Sequence, residues 1–531
     1  MLFDSNHTGT IKINGEQVKS SDVVEYLGMT IDKKLTFKQH IKKLVIKGER
    51  AIRALAHMSG KTWGLKSKQR KLIYLCYVLP KTTYGEEIFT QAPKTYLQSL
   101  EVVQNKALRI ISKNLKKTNA DILHIINQVE PLSVRRIKKQ INLLTRFKQN
   151  KNNPARHIYK KIAPNYSQKL NRLCFMKKDF IDSTLHYREL SGIKDDMISM
   201  HPKPLPFWAL TEIPVDTKLS TVIDKKSTTI SRMKSLTEIH IGEQYSGFDK
   251  IYTDASKLEN QLGIGIYEEN TNIKCSLRVN DHLSITSGEL IAIKTVLERL
   301  LSEERNEKKP VCICTDSLGA CQAILAGDIM NCSRPDILSD IFILHENTQQ
   351  RGLDIQIVWI PSHVGLTGNE IADQCANEGR VKDTVDINAK LGYSEIVSLV
   401  NKEINDKVYQ KEYSLNTHPT VVKFRKSFPE TKCKINLDKD LYLLNRIRAR
   451  ADRINQFNEN IYCRTCKTKL DSKHAIKYCT LFNKQRTSVV EKLRVEKLDF
   501  KIKNIVKTKL GKDTKSAIMV LLNAINDIFA I

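Results

Sequence analysis

The spacing of apolar residues in the first third of the chain changes from alternating to helical. Residues 10–14 and 23–32 alternate apolar and polar positions, which predicts short strands, with a turn at Asn14–Gly15. From His40 onward, apolar residues recur every three or four positions and basic residues dominate the polar faces. We therefore predict a mostly helical region over residues 1–185.

Prolines mark the next boundary. The segment 186–246 contains Pro202, Pro204, Pro206 and Pro214, a density too high for regular structure. The pattern predicts an extended spacer before the central region.

The central region, residues 247–382, has short apolar segments followed by alternating helical and strand-like segments. Three strand-like segments that can form hairpins come first, and β-α crossovers follow. This order predicts an α/β (α+β) fold with a mixed five-stranded sheet and flanking helices. The predicted strands cover 250–253, 263–267, 273–279, 310–315 and 355–360, and the predicted helices cover 287–303, 317–325 and 369–379. Residues 383–531 form a second basic region with helical spacing.

Charge is distributed unevenly. The chain of 531 residues has a formal net charge of +29. Residues 247–380 contain 20 acidic and 12 basic residues, a balance of −8, so the remainder carries +37. Basic regions of this kind bind phosphates and release their counterions. An acidic centre between basic arms suits a divalent-cation site flanked by segments that hold a polyanion, although Lys-rich solvated helix faces would give a similar composition.

The cysteine pattern and the hydropathy indicate the cellular location of the protein. Most of the 12 cysteines lie in apolar stretches, as in 311–315, where a thiol behaves as a small core residue. The N-terminus lacks a signal pattern, and no run reaches the 18 apolar residues of a membrane span. We expect an intracellular protein of the nucleus or cytoplasm, not secreted and without a membrane partner. The sequence leaves its oligomeric state open.

Four carboxylates of the central region lie at the ends or beginnings of predicted elements. Asp254 and Asp316 follow two apolar strands, and Glu289 and Asp373 lie in the predicted first turns of two helices. The carboxyl ends of parallel strands are where sites of α/β sheets gather. His363 lies ten residues before Asp373, and the whole arrangement is typical of a two-metal nuclease centre.

Each residue also has a structural interpretation. Thr286-x-x-Glu289 and Thr367-x-x-Glu370 fit capping boxes, and Asp316-Ser317 could cap a helix. Asp254 could be a turn residue, Asp373 a favourable first-turn charge, and His363 a loop residue. The order, spacing and flanking strands together favour the metal site.

The motifs around these residues, Tyr-Thr-Asp254-Ala-Ser, Ser-Gly-Glu289-Leu, Cys-Thr-Asp316-Ser and Ser-His363-Val-Gly-Leu-Thr-Gly-Asn-Glu-Ile-Ala-Asp373, closely resemble the type 1 ribonuclease H domain. The resemblance implies a ribonuclease H-like fold, two magnesium (or manganese) ions and endonucleolytic cleavage of RNA in RNA/DNA hybrids.

The same resemblance implies roles for the site residues. It makes Asp254 the bridging ligand and places Glu289 and Asp316 on the metal nearer the leaving group. Asp373 would bind the metal that holds the attacking water. His363 would assist proton transfer or product departure. Ala255 and Gly288 depart from residues common in the family, but neither removes a ligand.

Residues 26–109 contain a second resemblance. The segments Tyr26-Leu-Gly-Met-Thr-Ile-Asp32, Leu79-Pro-Lys-Thr-Thr-Tyr84-Gly85 and Gln104-Asn-Lys-Ala-Leu-Arg109 resemble the region after the polymerase palm in reverse transcriptases of jockey-like non-LTR retrotransposons. A polymerase needs a Tyr-x-Asp-Asp turn, and the sequence contains none. We expect the C-terminal portion of a longer element protein, without palm, fingers or endonuclease.

A cysteine and histidine cluster lies in the C-terminal region. Cys463, Cys466, His474 and Cys479 have the spacing C-x2-C-x7-H-x4-C, which suits one closed structural zinc site. It resembles the Cys-Cys-His-Cys knuckle of non-LTR element proteins, which implies nucleic-acid binding, although chance clustering is the alternative. Neighbouring basic residues would contact phosphates: Arg446, Arg450, Arg453, Arg464, Lys467 and Lys469.

Two functions are compatible with these observations. The first is a magnesium-dependent ribonuclease acting on RNA/DNA hybrids, in a truncated retroelement protein that also binds element RNA. The second is a non-catalytic nucleic-acid-binding remnant, in which only the basic arms and the knuckle retain a role.

Overall fold

The computed structural model describes residues 10–14, 16–19, 21–59, 63–116, 118–156, 192–194, 196–202, 212–224, 227–303, 309–329, 331–404, 462–463, 465–469, 472–500, 505 and 512–529. These residues fall into two compact units. We call the described parts of 1–140, 170–187 and 403–531 the helical unit, and those of 141–169 and 188–402 the sheet unit. Predicted features at Pro204, Pro206, Arg446, Arg450, Arg453 and Arg464 lie outside the described residues.

The helical unit begins with two hairpins. Strands β1 (Thr10–Ile13) and β2 (Glu16–Lys19) pair antiparallel, as do β3 (Val23–Tyr26) and β4 (Met29–Asp32). The second turn places Leu27 and Gly28 at φ 47° and 76°, the left-handed backbone that a two-residue hairpin requires. The predicted strand 23–32 is therefore a hairpin.

Helices make up most of the rest of this unit, as the apolar spacing predicts. They are α1 (Lys38–His57), α2 (Ser67–Ile73), a π-helical turn (Tyr74–Val78), α3 (Leu79–Thr82), α4 (Lys94–Ser112), α5 (Ala120–Asn127) and the start of α6 (Leu132–Gln149).

The two basic regions that the sequence separates share a core in the helical unit. Ile122 and Ile126 of α5 belong to one buried apolar cluster with Cys463, Phe482 and Ile518. The cluster includes residues of three C-terminal helices, α14 (Ser472–Lys477), α15 (Asn483–Val495) and α16 (Lys512–Phe529). Short amphipathic helices must bury their apolar faces against other elements, and here α5 and the C-terminal helices bury theirs against one another.

The sheet unit contains a mixed sheet with helices packed on it, which confirms the predicted fold class. The strands are β5 (Val215–Asp216), β6 (Asp249–Leu258), β7 (Gln261–Glu268), β8 (Ile273–Val279), β9 (Val311–Thr315) and β10 (Ile355–Trp359), in the order β5-β10-β9-β6-β7-β8. The strands β6, β7 and β8 pair antiparallel, whereas β9 pairs parallel with β6 and β10.

The structure differs from two predictions here. The sheet has six strands rather than five, because β5 pairs parallel with the edge of β10. Part of the predicted spacer is also regular: α7 (Lys218–Val222) and α8 (Ile230–Gln244) follow β5. Pro214 can precede an edge strand since its carbonyl still accepts from the Ile357 N–H at 2.9 Å.

Five further helices complete the sheet unit: α9 (Ile285–Ser302), α10 (Leu318–Ala326), α11 (Pro335–Gln350), α12 (Thr367–Arg380) and most of α13 (Tyr393–Ile404). Helix α11 has no counterpart among the helices predicted from the sequence. Helix α12 lies close against β7, since a Cβ on Gly265 would come within 1.9 Å of the Ala372 carbonyl oxygen. In the part of the chain that the structure describes, no helix is long and apolar enough to cross a membrane.

Candidate active site

Two of the four carboxylates follow neighbouring parallel strands. The pairing of β6 with β9 ends at Thr253 and Thr315, so Asp254 and Asp316 are the next residues of two adjacent chain segments, and Asp316 directly follows the end of β9. Asp254 lies within β6 because that strand continues and pairs with β7, opposite Gly265. The strand register alone therefore brings these two carboxylates together.

Glu289 reaches the same place from helix α9. The helix begins earlier than predicted, because Ser284 is the N-cap and its hydroxyl accepts from the Ser287 N–H at 3.1 Å. Glu289 is therefore in the second turn, and the proposed capping box with Thr286 is wrong. Single oxygens of Asp254, Glu289 and Asp316 all lie within 4.8 Å of one another.

Asp373 approaches from helix α12. This helix begins at Thr367 and its N-cap, Leu366, makes no side-chain cap hydrogen bond, so the alternative of a capping box at Thr367 fails and Asp373 lies beyond the first turn. The Asn377 amide donates to Asp373 Oδ1 at 2.9 Å and accepts from the Ser256 hydroxyl at 2.7 Å. Asp373 is near enough to raise the pKa of Asp254, although it is outside the group of three.

His363 lies on the loop between β10 and α12. Its side chain is exposed and its backbone has φ 53°. His363 therefore lies on the loop that leads into the helix carrying Asp373, but it does not belong to the group formed by Asp254, Glu289 and Asp316.

Burial and charge repulsion dominate the electrostatics of the group. Asp254 is 6% exposed and Glu289 is 5% exposed. Burial and the nearby Asp316 raise the pKa of Asp254 to about 8, although the Ala255 N–H opposes this by donating to it at 2.7 Å. Burial, Asp254 and Asp316 raise the pKa of Glu289 well above its usual range. Three clustered carboxylates therefore do not all ionise readily in this site without a cation.

The donor set fits a hard divalent cation. Oxygen ligands from carboxylates are those that magnesium and manganese prefer. Glu289 Oε2 is a buried oxygen with no hydrogen-bond partner among the described residues, and a cation would satisfy it.

A second ligand group lies in the helical unit. The ligand atoms of Cys463, Cys466, His474 and Cys479 also lie within 4.8 Å of one another. A backbone turn brings the first two together, since Cys463 O accepts from the Lys467 N–H at 2.9 Å and Cys463 N donates to Thr468 O at 2.8 Å.

The sulfur spacing of this group fits a tetrahedral ion. Cys479 Sγ is 3.8 Å from Cys463 Sγ and 3.9 Å from Cys466 Sγ. Thiolates bound at about 2.3 Å to one tetrahedral zinc ion lie roughly 3.8 Å apart. Burial raises the pKa of Cys479 to about 11, whereas the Thr480 hydroxyl lowers the pKa of Cys466. Of the basic neighbours, Lys467 and Lys469 are described.

Three residues that orient the candidate metal ligands were not predicted from the sequence: Asn377, Ser256 and Ser284. Asn377 could have been found from its position four residues after Asp373 on the same helical face. Ser284 could have been found as a better N-cap than Thr286. The contact between Ser256 and Asn377 had no sequence signal, because it joins residues 121 positions apart.

Comparison with known proteins identifies the central segment. Residues 249–381 match the family model for RNase H. The chain is also similar to the RNA-directed DNA polymerase from mobile element jockey of Drosophila melanogaster, with 33% identity over 119 residues. This match covers 20% of the chain and 12% of the relative.

Two other relatives give comparable matches. The probable RNA-directed DNA polymerase from transposon BS of Drosophila melanogaster is 28% identical over 105 residues, covering 20% of this chain and 12% of that protein. The jockey polymerase of Drosophila funebris is 30% identical over 102 residues, covering 19% and 11%. The matches therefore span about an eighth of these relatives' length. The comparisons thus show an RNase H domain at residues 249–381 and similarity to polymerases of the jockey and BS mobile elements.

Proposed function

We propose that the sheet unit is a divalent-metal-dependent endonuclease that cleaves the RNA strand of RNA/DNA hybrids. The observation that carries this proposal is the buried group of Asp254, Glu289 and Asp316 within the segment that matches the RNase H family. A cluster of three carboxylates in which burial and charge repulsion raise the pKa of Asp254 and of Glu289 is costly in a purely structural role, and such groups are enriched at functional sites.

Asp254, Glu289, Asp316 and Asp373 would hold two magnesium or manganese ions. Bound ions of this kind neutralise charge on the phosphate and activate the attacking water. Within the chain, Asp254 is proposed as the shared ligand, Glu289 and Asp316 as ligands on the leaving-group side, and Asp373 as a ligand on the water side. The exposed His363 imidazole would take up or deliver a proton as the product leaves.

The Cys463, Cys466, His474 and Cys479 group is proposed to bind one structural zinc ion. The four donors leave no open position for catalysis, and the sulfur spacing supports tetrahedral coordination. The ion would stabilise the buried apolar cluster to which Cys463 and Cys479 belong.

The basic regions are proposed to bind nucleic acid, including hybrid and element RNA. The +37 charge outside residues 247–380 supports this role. The same charge favours the second candidate function, a non-catalytic nucleic-acid-binding remnant.

A cleavage assay tests the proposal. The full chain is mixed with magnesium and an RNA/DNA hybrid labelled on the RNA, beside duplex RNA and duplex DNA. We expect RNA cleavage in the hybrid alone. Asp254→Asn should reduce the rate about a thousandfold, because a lost metal ligand removes several kcal/mol of transition-state stabilisation.

Glu298→Gln is the control for loss of a carboxylate outside the group, since Glu298 is a half-exposed side chain on helix α9. It should cleave at the wild-type rate. Equal rates for wild type and Asp254→Asn would contradict the site. Tight hybrid binding without cleavage in magnesium or manganese would establish the non-catalytic alternative.

A further inference from the structure

Glu395 is a buried carboxylate beyond the segment that matches the RNase H family. It lies near the start of α13, is 4% exposed, and accepts four hydrogen bonds. Two come from residues just before α13 and α11: the Gly392 N–H at 2.8 Å and Arg334 Nη1 at 3.2 Å. The other two come from the N-terminus of α9: Ser284 N–H at 2.6 Å and the Ser287 hydroxyl at 2.5 Å.

Those two serines define how α9 begins. Ser284 is its N-cap, and its hydroxyl accepts from the Ser287 N–H. Glu289 follows Ser287 by two residues on the same helix. A side chain that holds Ser284 and Ser287 therefore also sets the position and direction of the first turns that present Glu289.

Arg334 neutralises part of the negative charge in this network, because it pairs with both Glu395 and Asp336. Arg334 is 1% exposed and forms a bidentate pair with Asp336 at 3.0 and 2.7 Å. Its Nη2 also donates to the Lys390 carbonyl at 2.8 Å. The remaining negative charge faces the N-terminus of α9, where the helix dipole favours it. A buried network with its hydrogen bonds satisfied is rigid, which suits a support for a metal ligand.

We propose that Glu395 is a positioning residue for Glu289, so that the nuclease requires α13 in addition to the family-matched segment. Removing the Glu395 carboxylate would release the N-terminus of α9 and weaken metal binding without altering contacts to nucleic acid. This inference rests on the proposed metal-dependent function.

The test compares Glu395→Ala and Glu395→Gln with Asp386→Asn in the full chain. Asp386 lies on the same segment beyond residue 381 but accepts from the Arg278 N–H on β8 at 2.7 Å, so it is a matched control. Calorimetric titration with magnesium gives the Kd, hydrogen exchange reports the Ser287 and Gly288 amides, and hybrid cleavage gives kcat and KM.

We expect Glu395→Ala to weaken magnesium binding about tenfold, as supporting partners of metal ligands commonly do. It should also speed exchange of the two amides and lower kcat at fixed magnesium, with the KM for hybrid unchanged. Glu395→Gln keeps one acceptor oxygen for the serines and should show a smaller shift. Asp386→Asn should bind magnesium as the wild type does.

Ser287→Ala removes one hydrogen bond to Glu395 from the helix side and covers the case in which Glu395→Ala does not fold. It should weaken magnesium binding about threefold. Wild-type magnesium affinity in folded Glu395→Ala or in Ser287→Ala, or an equal shift in Asp386→Asn, would overturn the inference. Failure of the proposed function would look different: the wild type itself would not cleave hybrid, while the titration and exchange measurements would still judge Glu395.

Discussion

The two ligand groups of this protein are assembled in opposite ways. The Cys/His group comes from one short segment, residues 463–479, with a backbone turn that places two of its ligands. The group of Asp254, Glu289 and Asp316 comes from two strands and a helix. The first is local and neutral until its thiols ionise, whereas the second depends on the sheet and holds carboxylates whose charges repel one another.

The two groups are therefore expected to depend on metal binding in different ways. A local cluster in a small apolar core depends on its ion for folding. A carboxylate group imposed on a complete sheet has its geometry already, and the ion relieves a repulsion that the fold maintains. Metal removal should therefore destabilise the helical unit and leave the sheet unit folded but inactive.

Cys479→Ser gives the largest expected effect. The variant should lose zinc and the helical unit should lose stability by several kcal/mol, since structural zinc binding contributes about 10–16 kcal/mol in small domains. Metal analysis measures the zinc content, and thermal unfolding followed by circular dichroism measures the stability. Cys76→Ser, at an exposed cysteine outside the group, should keep metal and Tm. Unchanged zinc content in Cys479→Ser would remove the contrast between the two groups.

Glu289→Gln should increase the stability of the metal-free protein, whereas Cys479→Ser should decrease the stability of the helical unit. Cleavage should fall about a thousandfold, as for any lost ligand. The metal-free variant should be more stable than the wild type by roughly 1–3 kcal/mol at pH 7.5, because burial disfavours the glutamate charge. Urea unfolding in chelator measures the stability. A less stable variant would mean that Glu289 is held for structural reasons.

The pH dependence sharpens the same contrast. The raised pKa of Asp254, about 8, means that the folded protein keeps a proton that the unfolded chain has released above its ordinary value near 4. The free energy of unfolding of metal-free protein, relative to Asp254→Asn, should therefore fall as pH rises from 5 to 8, by up to about 1.4 kcal/mol per unit.

Magnesium binding should show the opposite trend, because the ion displaces that proton. Its affinity should rise by up to about tenfold per pH unit between pH 6 and 8, the range in which Asp254 still carries a proton in the metal-free protein. Titration calorimetry at pH 6, 7 and 8 measures this. An affinity independent of pH would show that the site holds no displaceable proton.

Asn377→Ala gives the smallest expected effect. It removes the amide that donates to Asp373 Oδ1, so kcat should fall about tenfold while the KM for hybrid stays constant. Gln374→Ala is the matched control on the same helix, because the Gln374 amide donates to the exposed carboxylate of Glu378 and not to Asp373. Equal losses in both variants would indicate a general effect on α12.

Local patterns were sufficient for much of the fold and of the candidate site. Apolar runs and turns placed the five longer strands of the sheet and three helices within a few residues, and the spacing around Asp254, Glu289, Asp316 and Asp373 indicated the carboxylate group. The start of α9 was predicted too late, although Ser284 is a good N-cap by residue type. Only the hydrogen bond from the Ser284 N–H to Glu395, which is 111 residues away, had no local signal. The missed helix α11 has its apolar residues in an ordinary amphipathic pattern and needed no tertiary signal.

The sequence by itself determined which residues can bind metal and which segments alternate as strands, since both depend on residue type and short spacing. Only the tertiary structure decided what those residues experience. Strand register places Asp254 beside Asp316, and burial raises the pKa of Asp254. Strand β5 forms the edge of the sheet within a segment whose prolines predicted an irregular spacer. Contacts of this kind join residues far apart in the chain, so their energies depend on packing and solvent exclusion, which no local pattern contains.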